Sequence, residues 1–162
     1  EWVSFIGRGL FRLFYQRDGN ERIMLFFDAG QLVSDYFSFL TRTPSIRPIQ
    51  ALEPSVLYSV SYEHLQRLYA KSRHWERIGR QLAEGAYVFS VQRANKLLHD
   101  DYDTRFSTFV AEYPSLLQRV PQFMIASYLN MTPETLSRVK RRLLKQTDTP
   151  LRSVHEPLRR LW

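Results

Sequence analysis

The chain has 162 residues, enough for one large or two small domains, and 44% of them are apolar, enough to build a core. Its charge is uneven: residues 117–162 hold nine Lys/Arg against three Asp/Glu, which is six of the net +7, as expected of a nearly neutral body joined to a basic module that meets polyanions. The absence of cysteine excludes disulfides, thiolate nucleophiles and cysteine-ligated zinc or iron–sulfur sites; with no apolar run near the roughly 20 residues that span a bilayer and no signal-peptide pattern, a cytoplasmic location without a membrane partner is expected.

"EWVSFIGRG" reads as a strand already in progress, so one or two opening strands are expected to precede residue 1. "LFRLFYQ" and "RIMLFF" read as two more strands, and Asp18-Gly19-Asn20 between them supplies residues that tolerate positive φ, the signature of a hairpin. Asp28-Ala29-Gly30 marks another turn, "LVSDYFSFLTRTPS" an irregular or partly helical excursion, and "RPIQALE" and "SVLYSVS" two further short strands. The expected fold of this part is an antiparallel β sandwich or jelly roll in an α+β chain.

From Ser61, a plausible N-cap, the period lengthens: Tyr62, Leu65, Leu68 and Tyr69 fit a short helix. A long one follows, in which Trp75, Ile78, Leu82, Ala86, Phe89 and Leu97 return at helical spacing between Arg73 and Leu98. Such a helix needs a partner along its length, and Gly79 and Gly85, unfavourable in a helix interior, suit the close backbone approach of a dimer seam. A helix lying only on the sheet is the alternative. "HDDYDT" then breaks the pattern, with Asp103 or Thr104 as expected cap of the next helix, and divides the chain into a first unit, 1–99, and a second unit, 100–162.

The second unit carries the chemistry. Pro121 suits a helix start, Phe123, Ile125, Ala126 and Leu129 give that helix an apolar side, and Asn130 is the best non-glycine residue for a left-handed turn. Met131 plugs the angle, Thr132 caps a second helix through its hydroxyl, and Leu136, Val139, Leu143 and Leu144 form its inward stripe. Pro133, Glu134, Ser137, Arg138 and Arg141 then face outward, the pattern of a helix-turn-helix whose second helix enters the DNA major groove. Arg138 suits guanine O6 and N7 and Glu134 suits cytosine N4, whereas Gln122, Thr132, Lys140, Arg142 and Lys145 are expected at the DNA backbone.

Other chemistries find little support. Gly7 and Gly9 form a G-x-G, but Arg12 stands where a dinucleotide fingerprint needs its third glycine and a strand follows instead of a helix. Asp100, Asp101 and Asp103 suit helix capping better than a metal, and His64, His74, His99 and His155 lack a ligand pattern, so no enzyme activity and no metal are expected. The rival to a DNA reader is a small-ligand sensor or interaction module whose basic helix binds an acidic protein.

In its order of parts the chain resembles the Crp/Fnr family of bacterial transcription regulators, through "FIGRGLFRLFY", "SVLYSVSYEHLQRLY" and, most diagnostically, "VPQFMIASYLNMTPETLSRVKRRLL". The resemblance implies a cyclic-nucleotide-binding-like jelly roll whose opening helix and strands precede residue 1. It also implies a homodimer joined along the helix from Arg73 to Leu98, two recognition helices on a palindromic DNA site, and RNA polymerase as a further partner. The family's cyclic-nucleotide binders hold the ribose with a glutamate after a glycine and the phosphate with an arginine followed by a small residue. Here Gln31 follows Gly30, and the phosphate stretch reads Pro44-Ser45-Ile46-Arg47. Gln31, Ser45 and Arg47 are thus the expected effector pocket, but cyclic AMP lacks its charge-assisted contact, and no cofactor is expected. An alternative is a pocket filled by aromatics such as Phe26, Phe27, Tyr36 and Phe37. Two departures remain: Pro133 stands where many relatives carry a base-reading arginine, which implies a different operator, and the tail 146–162 reads as a tail or short helix rather than a wing.

Overall fold

A strand with apolar side chains on both faces must be covered on both sides, and "LFRLFYQR" carries Leu10 and Phe14 on one face and Phe11 and Leu13 on the other. In the computed structural model, which describes residues 2–17 and 19–147, it forms β2 (Leu10–Arg17), the middle strand of an antiparallel sheet ordered β3-β2-β5, with β3 at Asn20–Asp28 and β5 at Ile49–Ala51. A second sheet, ordered β4-β1-β6, is built from β1 (Trp2–Arg8), β4 (Leu32–Val33) and β6 (Val56–Ser61). Phe11 points into the roll toward Ile6 and Val33. Leu10 and Phe14, on the opposite face of β2, join Ile23 and Phe26 beneath the C-terminal helices.

The hairpin and the Asp28-Ala29-Gly30 turn form as expected, with Gly19 and Gly30 both at positive φ. Asp18 and the tail beyond Thr147, including His155, lie outside the described residues, so the expectations placed on them are not addressed. The excursion after β4 holds one short helix, α1 (Tyr36–Thr41), capped by Asp35. Two helices follow: α2 (Tyr62–Lys71), capped by the Ser61 hydroxyl, and α3 (Arg73–His99), capped by that of Ser72. Gly79 has a role within its own chain: an ideal Cβ there would lie 2.1 Å from the Tyr69 hydroxyl oxygen, so the glycine makes room for α2.

Beyond Asp100 the chain is helical: α4 (Tyr102–Glu112), α5 (Leu116–Arg119), α6 (Gln122–Tyr128) and α7 (Pro133–Thr147). The cap of α4 is neither Asp103 nor Thr104. It is Asp101, whose carboxylate accepts from the Thr104 N–H at 2.8 Å. Phe106, Phe109, Leu116, Val120, Ile125, Ala126, Tyr128, Leu129, Leu136 and Val139 pack into one core with the outer face of β2 and β3. The break at residue 100 therefore ends a helix without dividing the hydrophobic core.

Candidate nucleic-acid interface

Two short helices present a stable outer face only if the turn between them is fixed. The α6–α7 turn is fixed by a Schellman arrangement: Asn130 takes φ +56, its N–H reaches the Ser127 carbonyl at 3.1 Å, and the Met131 N–H reaches Ala126 at 3.0 Å. Met131 is half-buried against the core. The Thr132 hydroxyl then accepts from the Thr135 N–H at 3.2 Å, capping α7.

The inward stripe of α7 is narrower than its sequence suggests. Leu136 and Val139 are each 1% exposed and Leu143 packs against them, but Leu144 is 69% exposed. A position eight residues beyond Leu136 has drifted about 80° round the helix, which turns it off the core. On α6, Phe123 is likewise turned outward at 55% exposure, and Tyr128, unanticipated, is buried in its place among Phe26, Phe109 and Tyr113.

The opposite side of α7 is open. Pro133, Glu134, Ser137, Arg138 and Arg141 are all exposed, and so are Thr132 and Gln122 at the starts of α7 and α6. Arg138 donates weakly to the Thr135 hydroxyl at 3.4 Å. The Glu134 carboxyl is held below its ordinary range by its own backbone N–H, then by the Thr132 hydroxyl and the Arg138 charge, so its oxygens are shared with the helix start. Lys140 is half-buried on the other flank, where it borders an apolar groove lined by Phe106, Leu117, Leu136 and Leu143. Arg142 is committed to an ion pair with Asp103 of α4. The Lys145 side chain falls outside the described atoms.

What orients this surface came from residues with no sequence signal of their own. Arg105 donates to three backbone carbonyls, Asp100 at 3.0 Å, Leu129 at 3.2 Å and Leu97 at 2.8 Å, tying the end of α3 to the end of α6. Arg93 of α3 donates to the Tyr128 carbonyl at 2.9 Å and lies 3.8 Å from the centre of its ring. Arg119 of α5 grips Asp28 and Glu53, each at 2.6 Å, and the Ser127 hydroxyl accepts from the Ile23 N–H of β3 at 2.9 Å. An arginine in a polar helix face reads as solvated, and nothing in the spacing of these four marks their partners.

Of the expected effector residues, two meet around a third group and one is engaged in its own turn. The Gln31 amide oxygen accepts from the Asp28 N–H at 2.9 Å within its own turn. Ser45 and Arg47 instead converge on Asp35, which the sequence reading missed: the Ser45 hydroxyl donates to it at 2.5 Å and Arg47 through Nε at 3.0 Å and a second guanidinium nitrogen. Burial pushes the Asp35 carboxyl up, but those bonds outweigh it and hold it below its ordinary value. Of the aromatics expected to fill the pocket, Phe26 belongs to the main core, Phe27 packs beside the roll interior, Tyr36 lies beside Phe39 and Phe37 is 64% exposed.

On α3, Trp75, Leu82 and Phe89 are each at least 40% exposed, with Ile78 and Ala86 half-buried between them. The apolar stripe of the long helix is thus uncovered along much of its length.

No family model matches the sequence, and no curated protein sequence does. Solved structures match closely in shape. FixK2 from Bradyrhizobium japonicum superposes with a TM-score of 0.75 at 18% identity, over 91% of this chain and 76% of its own. CLP, a c-di-GMP-responsive global regulator from Xanthomonas campestris, gives 0.66 at 20% identity, over 95% and 81%. A protein from Eubacterium rectale assigned to the Crp/Fnr family of transcriptional regulators gives 0.67 at 16% identity, over 89% and 69%. A β-roll, a long connecting helix and a terminal helix-turn-helix in the same order give this chain the fold of the Crp/Fnr-type regulators.

Proposed function

We propose that the chain is a sequence-specific DNA-binding transcription regulator of the Crp/Fnr family. It divides into a sensor-like unit, 1–99, that includes the long helix, and a reading unit, 100–162. Two copies associate along the exposed Trp75–Leu82–Phe89 stripe, since an apolar helix face of that length is unstable in water. Their two α7 helices then read successive major grooves of a palindromic operator.

The observation that carries this reading is the face of α7. A helix locked from behind by Leu136 and Val139 exposes Arg138 and Arg141 beside Glu134 and Ser137, the donor and acceptor types that discriminate base edges in the major groove. Arg141 shares the outward face with Arg138, and both positions lie clear of the core.

The sensor-like unit favours regulation without a cyclic nucleotide. Arg47 is 17% exposed and already neutralised by Asp35, so an incoming phosphate would have to displace a carboxylate and leave that carboxylate beside it.

Selection from random duplexes, followed by titration of the recovered sequence across a salt series, tests the proposal. The expected result is a palindromic preference with binding that weakens steeply as salt rises. Arg138→Ala should flatten the preference at one base pair per half-site, by about 1–3 kcal/mol. Unchanged preference in that variant would remove Arg138 from base reading.

A further inference from the structure

Among the described cations expected at the DNA backbone, Arg142 is the one the fold has given a carboxylate. It lies about 40° round α7 from Arg138, on the edge of the reading face, and its guanidinium reaches across to Asp103 in the first turn of α4. The two side chains remain 54% and 29% exposed, so the ion pair sits at the surface where a duplex would arrive. Asp101 stands beside it as the cap of α4, adding a second negative charge that also acts on Arg142.

We infer that Asp103 occupies the place of a DNA phosphate and holds Arg142 back from the duplex, setting the strength of sequence-independent binding; this rests on the DNA-reading assignment of α7. The chemistry is an exchange of like for like. To meet a phosphate, Arg142 must give up one charge-assisted bond to gain another, and the released Asp103 is then left with Asp101 facing a polyanion. The exchange has little to drive it, so with Asp103 in place Arg142 adds almost nothing to the number of phosphates neutralised. Lys140 and Arg141, which carry no such carboxylate on the described surface, are not restrained in this way.

The reading differs measurably from a plain structural staple between α4 and α7. Each neutralised phosphate steepens the fall of log binding constant with log salt by about 0.9, equivalent to about 3.5-fold in affinity over a fourfold change in salt. A titration of the full chain against a random-sequence duplex therefore separates the cases. In the intact protein, Arg142→Ala should leave the salt slope unchanged. Asp103→Asn should steepen it by about 0.9 and tighten binding several-fold at low salt, and Asp103→Asn with Arg142→Ala together should return it to the starting value. Asp103→Ser, which cannot mimic the amide geometry of asparagine, serves as a second variant, and circular dichroism confirms that each variant is folded.

A slope unchanged in both folded Asp103 variants would overturn the inference while the DNA-reading assignment stood, and so would a slope flattened by Arg142→Ala alone. A wild-type chain that bound no duplex at all would overturn both.

Discussion

At the scale of single residues, the least expected finding is how much of this chain is organised by arginines that point inward. Arg12, in the middle of β2, is 5% exposed, donates to Gln50 at 2.7 Å and Glu21 at 2.6 Å, and lies over the Phe14 ring. Arg47 is the case with a consequence for pH. Burial raises the Asp35 carboxyl, but the Ser45 and Arg47 bonds prevail and leave the folded value lowered. A lowered folded value means that the contribution to stability is complete above the unfolded pKa of about 3.9 and is lost as pH falls through the folded one. Asp35→Asn should therefore lower the melting temperature at pH 7, by an amount equivalent to roughly 1–3 kcal/mol for hydrogen bonds to a charged group. The gap between variant and wild type should close as the pH is taken below about 4. A gap of constant size down to pH 2 would show that packing, not charge, is what Asp35 contributes. The lowered Asp28 carboxyl, where burial is likewise outweighed by Arg119, adds to the same acid sensitivity.

At the scale of elements, the sequence was legible wherever a local pattern dictates structure. The apolar and aromatic enrichment of β2, the Ser61 cap, the length of α3 and the Asn130 turn all follow from residues within a few positions of one another. Leu144 was placed inward by extending an apolar stripe past the point where the helix has turned away, and Phe123 by taking an apolar residue at a helix start as buried. Asp35 was missed because the acid that meets Arg47 lies twelve residues upstream, with no periodicity to connect them. The turn that was read correctly offers the cleanest element-scale test. Asn130 occupies the left-handed region, which costs a Cβ-bearing residue without a short polar side chain about 1–2 kcal/mol. Asn130→Ala should lower stability by about 1 kcal/mol and Asn130→Gly should leave it unchanged or raised. Both are checked by urea denaturation with the slope of the transition held constant. On the proposed DNA-reading assignment, DNA affinity should follow the same order, since this turn sets the angle of α7.

At the scale of the whole molecule, the question is whether the β-roll and the C-terminal helices are separate bodies. The hydrophobic core answers on the side of coupling: Phe26 of β3 is 8% exposed, its ring centre 5.3 Å from that of Tyr128 of α6, and Leu10 and Phe14 lie in the same cluster as Leu136 and Val139. Polar contacts follow the same seam, with Arg119 gripping Asp28 and Glu53, and Ser127 bonded to the edge of β3. Burying a common apolar surface makes the two units stabilise one another, so opening either exposes the other. Thermal unfolding should therefore appear as a single transition by both far- and near-ultraviolet circular dichroism. Phe26→Ala should lower it by an amount equivalent to about 3–5 kcal/mol without splitting it. If the two copies pair along α3, the midpoint should also rise with protein concentration, because association stabilises only the folded chain. Two resolved transitions, with Phe26→Ala shifting the first alone, would instead show C-terminal helices that are merely tethered. In that case any signal from the roll would have to travel through α3 rather than through the shared core.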